Sequence, residues 1–396
     1  MRTTQTRIQT ARRIGGVAEY YFSRKLREIA ARRTMGEDIL NLGIGNPDLP
    51  PPPQAASSLE ADLQREGAHG YQSYRGTPAL RGRLLRWYAE DFGVRLADDE
   101  LLPLAGSKEG IAHLCLGLLD PGTATLVPDP GYPAYAAATR LAEADALPYP
   151  LPRAGERPYT WLQRLEAALP SAADVRIVFV NSPHMPTGQV LSGGHVEALA
   201  AFAKTRGAVL VADVAYAYYH PDGPTSLLRQ VAVREVGVEL NSLSKSHHMP
   251  GWRLGVLAGR ADVVTAALTV KSNLDSGQFR PLQAGATAAL DAERAWHARR
   301  DARIAERRCF ATDLLGALGC RVPENQHGLF VWAQLPEGAS GAEAFADRLL
   351  DEAGVFLPPG TVFGPGGEGH CRLSLCSPLD VLREARTRLA AAGLVR

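Results

Sequence analysis

The chain has 396 residues, 45% hydrophobic and 21% charged, a globular composition with room for one large domain and a smaller one. Its 43 basic residues balance 42 acidic ones, and no run of about eighteen apolar residues occurs, so neither a nucleic-acid partner nor a membrane span is expected. Five cysteines (Cys115, Cys309, Cys320, Cys371, Cys376) form no C-x-x-C, which suits free thiols in a reducing cytoplasm and argues against a disulfide framework or any metal site.

The opening "MRTTQTRIQTARRIGG" is Arg-rich and lacks acids, as a transit segment does, but has no apolar core and reads as a solvated arm. Residues 18–34 read as an amphipathic helix; "DILNLGIGNPDLPPPP" then turns extended and ends in prolines that stop any helix. From about 100 to 260, short apolar runs alternate with helical stretches: "LLPLAG", "ATLVPDP", "DALPYPL", "RIVFVNSP", "AVLVADVAY", "VGVELNSLSK" and "RLGVLAG". Apolar strands separated by helices predict a mostly parallel, seven-stranded sheet flanked by helices. From Trp296 a long charged helix closes at Gly319, followed by "LFVWAQL", a helix at "GAEAFADRLLDEAG", "GVFLPPG", "CRLSLC" and a last helix. The expected division is an arm and helix over 1–40, a large α/β domain over 41–297 and a small α/β domain over 298–396.

"GPGGEG" at 364–369 satisfies G-x-G-x-x-G but precedes a strand instead of following one, so it reads as a loop. The informative residues collect at strand ends, where open parallel sheets hold their ligands. "VELNSLSK" ends in Lys245, "AVLVADVAY" delivers Asp213 and Tyr216, and "RIVFVNSPHMPTG" delivers a rigid turn at Pro183–Gly188. "LLPLAGSKEG" opens into a helix through Gly106, Ser107 and Lys108, whose backbone N–H groups suit an anion. A lysine amine, an aspartate, a tyrosine, Arg253 and a phosphate-ready helix start suit pyridoxal 5′-phosphate: the lysine forms a Schiff base with the aldehyde, and the aspartate holds a proton on the ring nitrogen. Two proline bonds, Asp129–Pro130 and Met185–Pro186, are expected to be cis.

With these motifs the sequence resembles the class I/II aminotransferases, fold-type I pyridoxal-phosphate enzymes akin to aspartate aminotransferase, over nearly its whole length. "SLSKSHHMPGWRLG" matches the family's Ser-x-x-Lys…Gly-Trp-Arg-x-Gly signature, "DVAY" its Asp-x-x-Tyr pair, "YQSYRG" its Tyr-x-x-x-x-Gly, "DPGYPAY" its aromatic stacking segment and "CRLSL" its carboxylate-binding arginine strand. "LNLGIGNPD", with Gly45 at the substrate, and "HGLFVW" fit more loosely. The resemblance implies that Lys245 carries the Schiff base and shuttles the substrate proton, Asp213 pairs with the ring nitrogen, Tyr216 donates to the phenolic oxygen and Tyr132 stacks on the ring. It implies that Ser107, Lys108 by its backbone, Ser242 and Arg253 hold the phosphate, and that Tyr71 reaches the neighbouring site of a homodimer. Arg372 would grip the substrate α-carboxylate in a bidentate fork. The implied reaction moves the amino group of an L-amino acid to a 2-oxo acid.

The family's Asn-Pro-Thr-Gly reads Met-Pro-Thr-Gly here, with Met185 in place of an asparagine that donates to the phenolic oxygen. A thioether cannot donate, so Tyr216 becomes the main donor unless His184 or a water substitutes. His247 and His248 read as turn packing, and His370 as part of a rim loop. Tyr20, Tyr21 and Phe22 suit helix packing as well as a substrate pocket, and the Lys108 amine is expected in water. Lys271 and Arg280 are the candidates to read a side-chain carboxylate, each equally a surface charge. The same scaffold runs β-elimination and cyclisation, which keeps a C–S lyase or an aminocyclopropane-carboxylate synthase as alternatives. A pyridoxal-phosphate-binding regulatory domain would need a DNA-binding unit, and no helix-turn-helix pattern is present.

Overall fold

Eleven strands form among residues 9–395, the part that this computed structural model describes: β1 Leu40–Asn41, β2 Leu101–Leu104, β3 Thr123–Asp129, β4 Asp145–Pro150, β5 Asp174–Asn181, β6 Val209–Asp213, β7 Gly237–Ser242, β8 Gly255–Gly259, β9 Phe330–Gln334, β10 Val355–Phe356 and β11 His370–Ser374. Seven of them make one sheet in the order β2–β8–β7–β6–β5–β3–β4. Its strands are parallel except β8, which runs against both β2 and β7. The reversal has a local cause. After β7 the chain makes only two short helical turns, Leu243–Ser246 and Pro250–Trp252, instead of a crossover helix, so it re-enters beside β7 in the opposite sense. The loop between β7 and β8 therefore stays at the edge where the parallel strands end.

Helices cover both faces. One face buries Leu84, Trp87, Trp161 and Phe202, and the other buries Ile111, Leu114, Tyr135 and Val264. Because both faces are covered, β6, β7 and β8 are buried almost throughout; β6 and β8 read as nearly continuous apolar runs, while β7 also buries Glu239, Asn241 and Ser242. A third core joins the long helix Arg294–Ala317 to the antiparallel pair β9–β11 and to the helices Ala342–Ala353 and Leu379–Ala391. The N-terminal helix, Tyr21–Thr34, packs with this C-terminal layer: β1 pairs in parallel with β10, and Ile29 and Ile39 bury against Leu350 and Phe356. Of the Arg-rich arm, residues 1–8 lie outside the described residues, and Arg12–Gly15 forms a short helical turn. Asp129–Pro130 and Met185–Pro186 are cis, as is Ser182–Pro183. The Gly-rich match at 364–369 is a turn before β11, closed by the Gly366 N–H on Asp129 Oδ1.

Candidate active site at the carboxyl edge of the sheet

Ser242 ends β7 and caps the next turn, accepting the Ser244 N–H at 3.1 Å. That turn lifts Lys245 out of the sheet into a cavity of about 540 Å³. The cavity is also lined by Asp213, Tyr216, Tyr132, Ser107, Gly45 and Arg372. Seven residues chosen from six separate stretches of sequence thus meet at one place. The Lys245 ammonium donates to the Gly45 carbonyl, and burial lowers its pKa, favouring the neutral, nucleophilic amine. A side chain at Gly45 would collide with the Phe330 ring, so glycine is required there.

Asp213 is buried at the end of β6. Tyr135 donates its hydroxyl to Oδ2 at 2.7 Å, and the Ala215 N–H reaches Oδ1 at 3.2 Å. Burial raises its pKa, the Tyr135 hydrogen bond opposes that, and no cationic side chain contributes. Asn181, at the end of β5, ties the strand ends together: its amide donates to the Asp213 carbonyl at 2.6 Å and accepts the Met185 N–H at 2.6 Å. Tyr132 caps the helix Pro133–Leu141, and its half-buried ring faces the cavity.

The anion end is built from two loops in close approach. Gly106, with φ +87°, starts the helix Ser107–Leu118 and leaves the Ser107 and Lys108 N–H groups without helical partners. A Cβ at Gly106 would strike the Arg253 guanidinium, and one at Gly255 would sit 2.8 Å from Ser107 N. Arg253 adopts a left-handed backbone (φ +53°) and donates to the carbonyls of Ala105 (3.0 Å) and Pro250 (3.2 Å). Glu109 holds the same loop from behind, accepting the Ala105 N–H at 2.5 Å. Ser242, Arg253 and Lys108 lie beside the cavity and do not line it. The Lys108 side chain is exposed, as expected, with its amine 4.8 Å from the Tyr20 ring centroid. Tyr71 is 95% exposed and does not line its own cavity.

Arg372 comes from β11. Its guanidinium lies 3.8 Å from the Phe330 ring centroid and 4.5 Å from that of Phe363. It donates to the Gly43 carbonyl at 2.6 Å and to Met185 Sδ at 3.2 Å, while Nε has no partner. No carboxylate among the described residues faces it, and burial lowers its pKa to about 10.

Several expectations need correction. Lys271 and Arg280 do not line the cavity. The Lys271 ammonium is buried and held at 2.9 Å by Glu109 and by both oxygens of Asp275; Arg280 is held by Asp62 at 2.9 Å. Each is already neutralised: Glu109 and Asp62 come from far away in sequence, whereas Asp275 lies one helical turn beyond Lys271. His184 is no substitute donor either: Nδ1 bonds Thr187 Oγ1 at 2.9 Å, burial lowers its pKa to about 3, and it is absent from the cavity wall. His370 begins β11 and stacks on Trp332, where a rim loop was expected. Tyr20 and Phe22 do line the cavity, whereas Tyr21 does not. His247 and His248 are buried behind Lys245, as expected, against Trp296. Tyr135, Asn181 and Glu109 were not singled out from the sequence. Each is a polar group inside an otherwise apolar run or first helical turn, and that placement was the available signal.

The residues fit pyridoxal phosphate. The cavity holds a carboxylate with no cation, a guanidinium with no anion and a desolvated amine, beside a helix start with unpartnered N–H groups. A pyridinium, a substrate carboxylate, an aldehyde and a phosphate answer these four in turn. The comparisons agree. A model of the family "Aminotransferase class I and II" matches residues 37–389. The LL-diaminopimelate aminotransferase of Desulforudis audaxviator is 40% identical over 96% of both chains, and that of Moorella thermoacetica is 38% identical over 96% of this chain and 98% of its own. Substrate-bound BacF from Bacillus subtilis superposes with a TM-score of 0.88 at 30% identity, covering 97% of this chain and 98% of its own. Aspartate aminotransferase from Thermus thermophilus with maleate gives 0.88 at 26% identity, covering 98% and 100%. With family, fold and full-length relatives in agreement, the chain belongs to the class I and II aminotransferases, which depend on pyridoxal phosphate.

Proposed function

We propose that Lys245, Asp213, Tyr216 and Arg372 carry the amino transfer in the roles the resemblance implies, with LL-diaminopimelate as the first donor to test and 2-oxoglutarate as acceptor. The donor is suggested by the names of the full-length relatives. One observation carries the assignment of roles: Asp213 and Arg372 are buried charges of opposite sign, open to one cavity, and neither has a counter-ion among the described residues. Pyridoxal phosphate supplies an aldehyde that captures amines and a ring that withdraws electrons. The protein does the rest. Asp213 holds a proton at the ring nitrogen, Tyr216 turns its hydroxyl to the phenolic oxygen, and Tyr132 covers the ring face. Ser107, the Lys108 N–H, Ser242 and Arg253 hold the phosphate. Arg372 and Gly45 orient the substrate so that its Cα–H faces the Lys245 amine, which takes the proton. Tyr20, Phe22 and Phe330 exclude water around that amine.

The active form is proposed to be a homodimer. Tyr71, exposed and unattached on its own subunit, would complete the phosphate site of the partner. The proposed division into a cofactor-holding unit over 41–297 and a smaller unit over 298–396, with the helix of segment 1–40 packed on the latter, puts Lys245 and Arg372 on different units. Five free cysteines suit a cytoplasmic setting. A membrane role has no support from the helices: no described helix is long and apolar enough to cross one. The test is a donor panel with 2-oxoglutarate, including LL-diaminopimelate, glutamate and an aromatic amino acid, together with borohydride reduction and peptide mapping. The reading expects the cofactor mass on the peptide containing Lys245 and turnover with LL-diaminopimelate. A label on another lysine refutes the assignment, and no turnover with that donor refutes the substrate.

A further inference from the structure

Tyr135 lies three residues beyond Tyr132, in the first turn of the helix Pro133–Leu141. It is 1% exposed, and its contacts join two groups that are expected to act on the same cofactor ring. Its hydroxyl donates to Asp213 Oδ2 at 2.7 Å. Its ring stacks on Phe179, centroids 4.6 Å apart and planes 11° apart, and meets the Tyr132 ring edge-on at 5.5 Å. Among the described residues Asp213 has no cationic partner, and besides Tyr135 only the Ala215 N–H reaches its carboxylate. A buried carboxylate oxygen without a donor either rotates or takes up a proton. Burial and the neighbouring Asp213 charge keep the phenolic proton on Tyr135, so this hydroxyl donates at any working pH.

We propose that Tyr135 is a positioning residue for the cofactor ring: its hydroxyl holds the Asp213 carboxylate charged and aimed at the ring nitrogen, while its ring, wedged on Phe179, sets the tilt of Tyr132 against the ring face. The proposal rests on the reading that Asp213 pairs with that nitrogen. One tyrosine then fixes both the electronic partner and the stacking partner of the ring. Phe179, buried in β5 beside β6, anchors it to the sheet.

The test is the rate at which Tyr135→Phe holoenzyme releases its cofactor into a scavenger, compared with wild type. The measurement is repeated with enzyme reconstituted with an analogue carrying carbon in place of the ring nitrogen. The variant keeps the ring and the stacking on Phe179, so the fold is expected to survive. Loss of one charge-assisted hydrogen bond should speed release of pyridoxal phosphate about tenfold or more. Release of the carbon analogue should agree within about twofold between the two proteins, because Asp213 has no nitrogen to serve. Equal acceleration for both cofactors means Tyr135 only fills space and overturns the proposal, as does no acceleration for either. If wild type itself releases both cofactors at the same rate, the reading of Asp213 fails, and the role of Tyr135 fails with it.

Discussion

Glu239 gives a prediction whose magnitude can be worked from the structure. It sits in β7, fully buried, one strand away from Asp213. Oε1 accepts the Tyr88 hydroxyl at 3.0 Å, and Oε2 accepts Ser226 Oγ at 2.7 Å and the Leu227 N–H at 3.0 Å. Burial outweighs these three bonds and raises the pKa from 4.5 to about 7. The unfolded chain therefore loses this proton near pH 4.5, while the folded chain keeps it to about pH 7. Stability from this group is fully present below pH 4.5, falls as the pH rises towards 7 and is flat above. At 1.36 kcal/mol per unit, the loss across that window is roughly 3 kcal/mol. Glu239→Gln keeps the shape and cannot ionise: its carbonyl accepts from Ser226 and Leu227, and its amide donates to Tyr88, whose oxygen turns to accept. The variant should match wild type near pH 5 and exceed it by about 3 kcal/mol near pH 8. Urea midpoints taken across this range, at fixed protein and cofactor concentration, measure the difference. Parallel pH profiles for the two proteins would refute the claim that Glu239 is proton-bound in the fold.

Two further substitutions separate roles within the site and around it. Arg372→Ala should weaken amino acids and oxo acids alike by about 2–5 kcal/mol, as loss of a buried charge-assisted pair does, and a loss confined to one substrate class would make Arg372 a side-chain reader. Lys271→Met strands Glu109 and Asp275 beside each other and should cost about 3 kcal/mol of stability, seen as a lower urea midpoint, with the order of kcat/KM among donors unchanged; a selective loss of acidic donors would return Lys271 to substrate recognition.

The signals the sequence carried were those set by local rules. Lys245, Asp213 and the Gly106 helix start each end an apolar run, and in a parallel sheet run ends share one edge. The correct edge followed without knowing strand order. Partners chosen across the fold were not legible. Nothing near Lys271 in sequence announces Glu109, and nothing near Arg280 announces Asp62; Asp275, four residues after Lys271, was the one partner an i,i+4 reading could have supplied. Tyr135 was visible in "DPGYPAY", yet only the fold turns its hydroxyl onto Asp213. The β1–β10 pair escaped notice because two-residue strands are too short to carry a period. Its residues, Leu40 and Val355, lie at opposite ends of the chain.

Met185 stands where the resemblance to the family implies an asparagine, and the structure narrows what that difference can do. Its sulfur accepts from Arg372 at 3.2 Å, and its N–H is fixed by Asn181, so the side chain is held at the cavity wall. His184 next to it bonds Thr187 through Nδ1 and does not line the cavity. Tyr216, whose hydroxyl has no hydrogen-bond partner among the described residues, is left as the phenol donor in the chain. A hydrogen-bond donor beside an anionic oxygen stabilises the anion, so a proton shared with that oxygen leaves at lower pH. Met185→Asn restores a second donor and should move the pH midpoint of the bound cofactor's visible absorption down by about one unit. Met185→Leu also lacks a donor and should leave the midpoint in place while loosening only the Arg372 contact. Tyr216→Phe should move it upward, because the remaining donor is gone. If Met185→Asn leaves the midpoint unmoved, the thioether is a packing residue on Arg372 and the missing asparagine has no electronic consequence here.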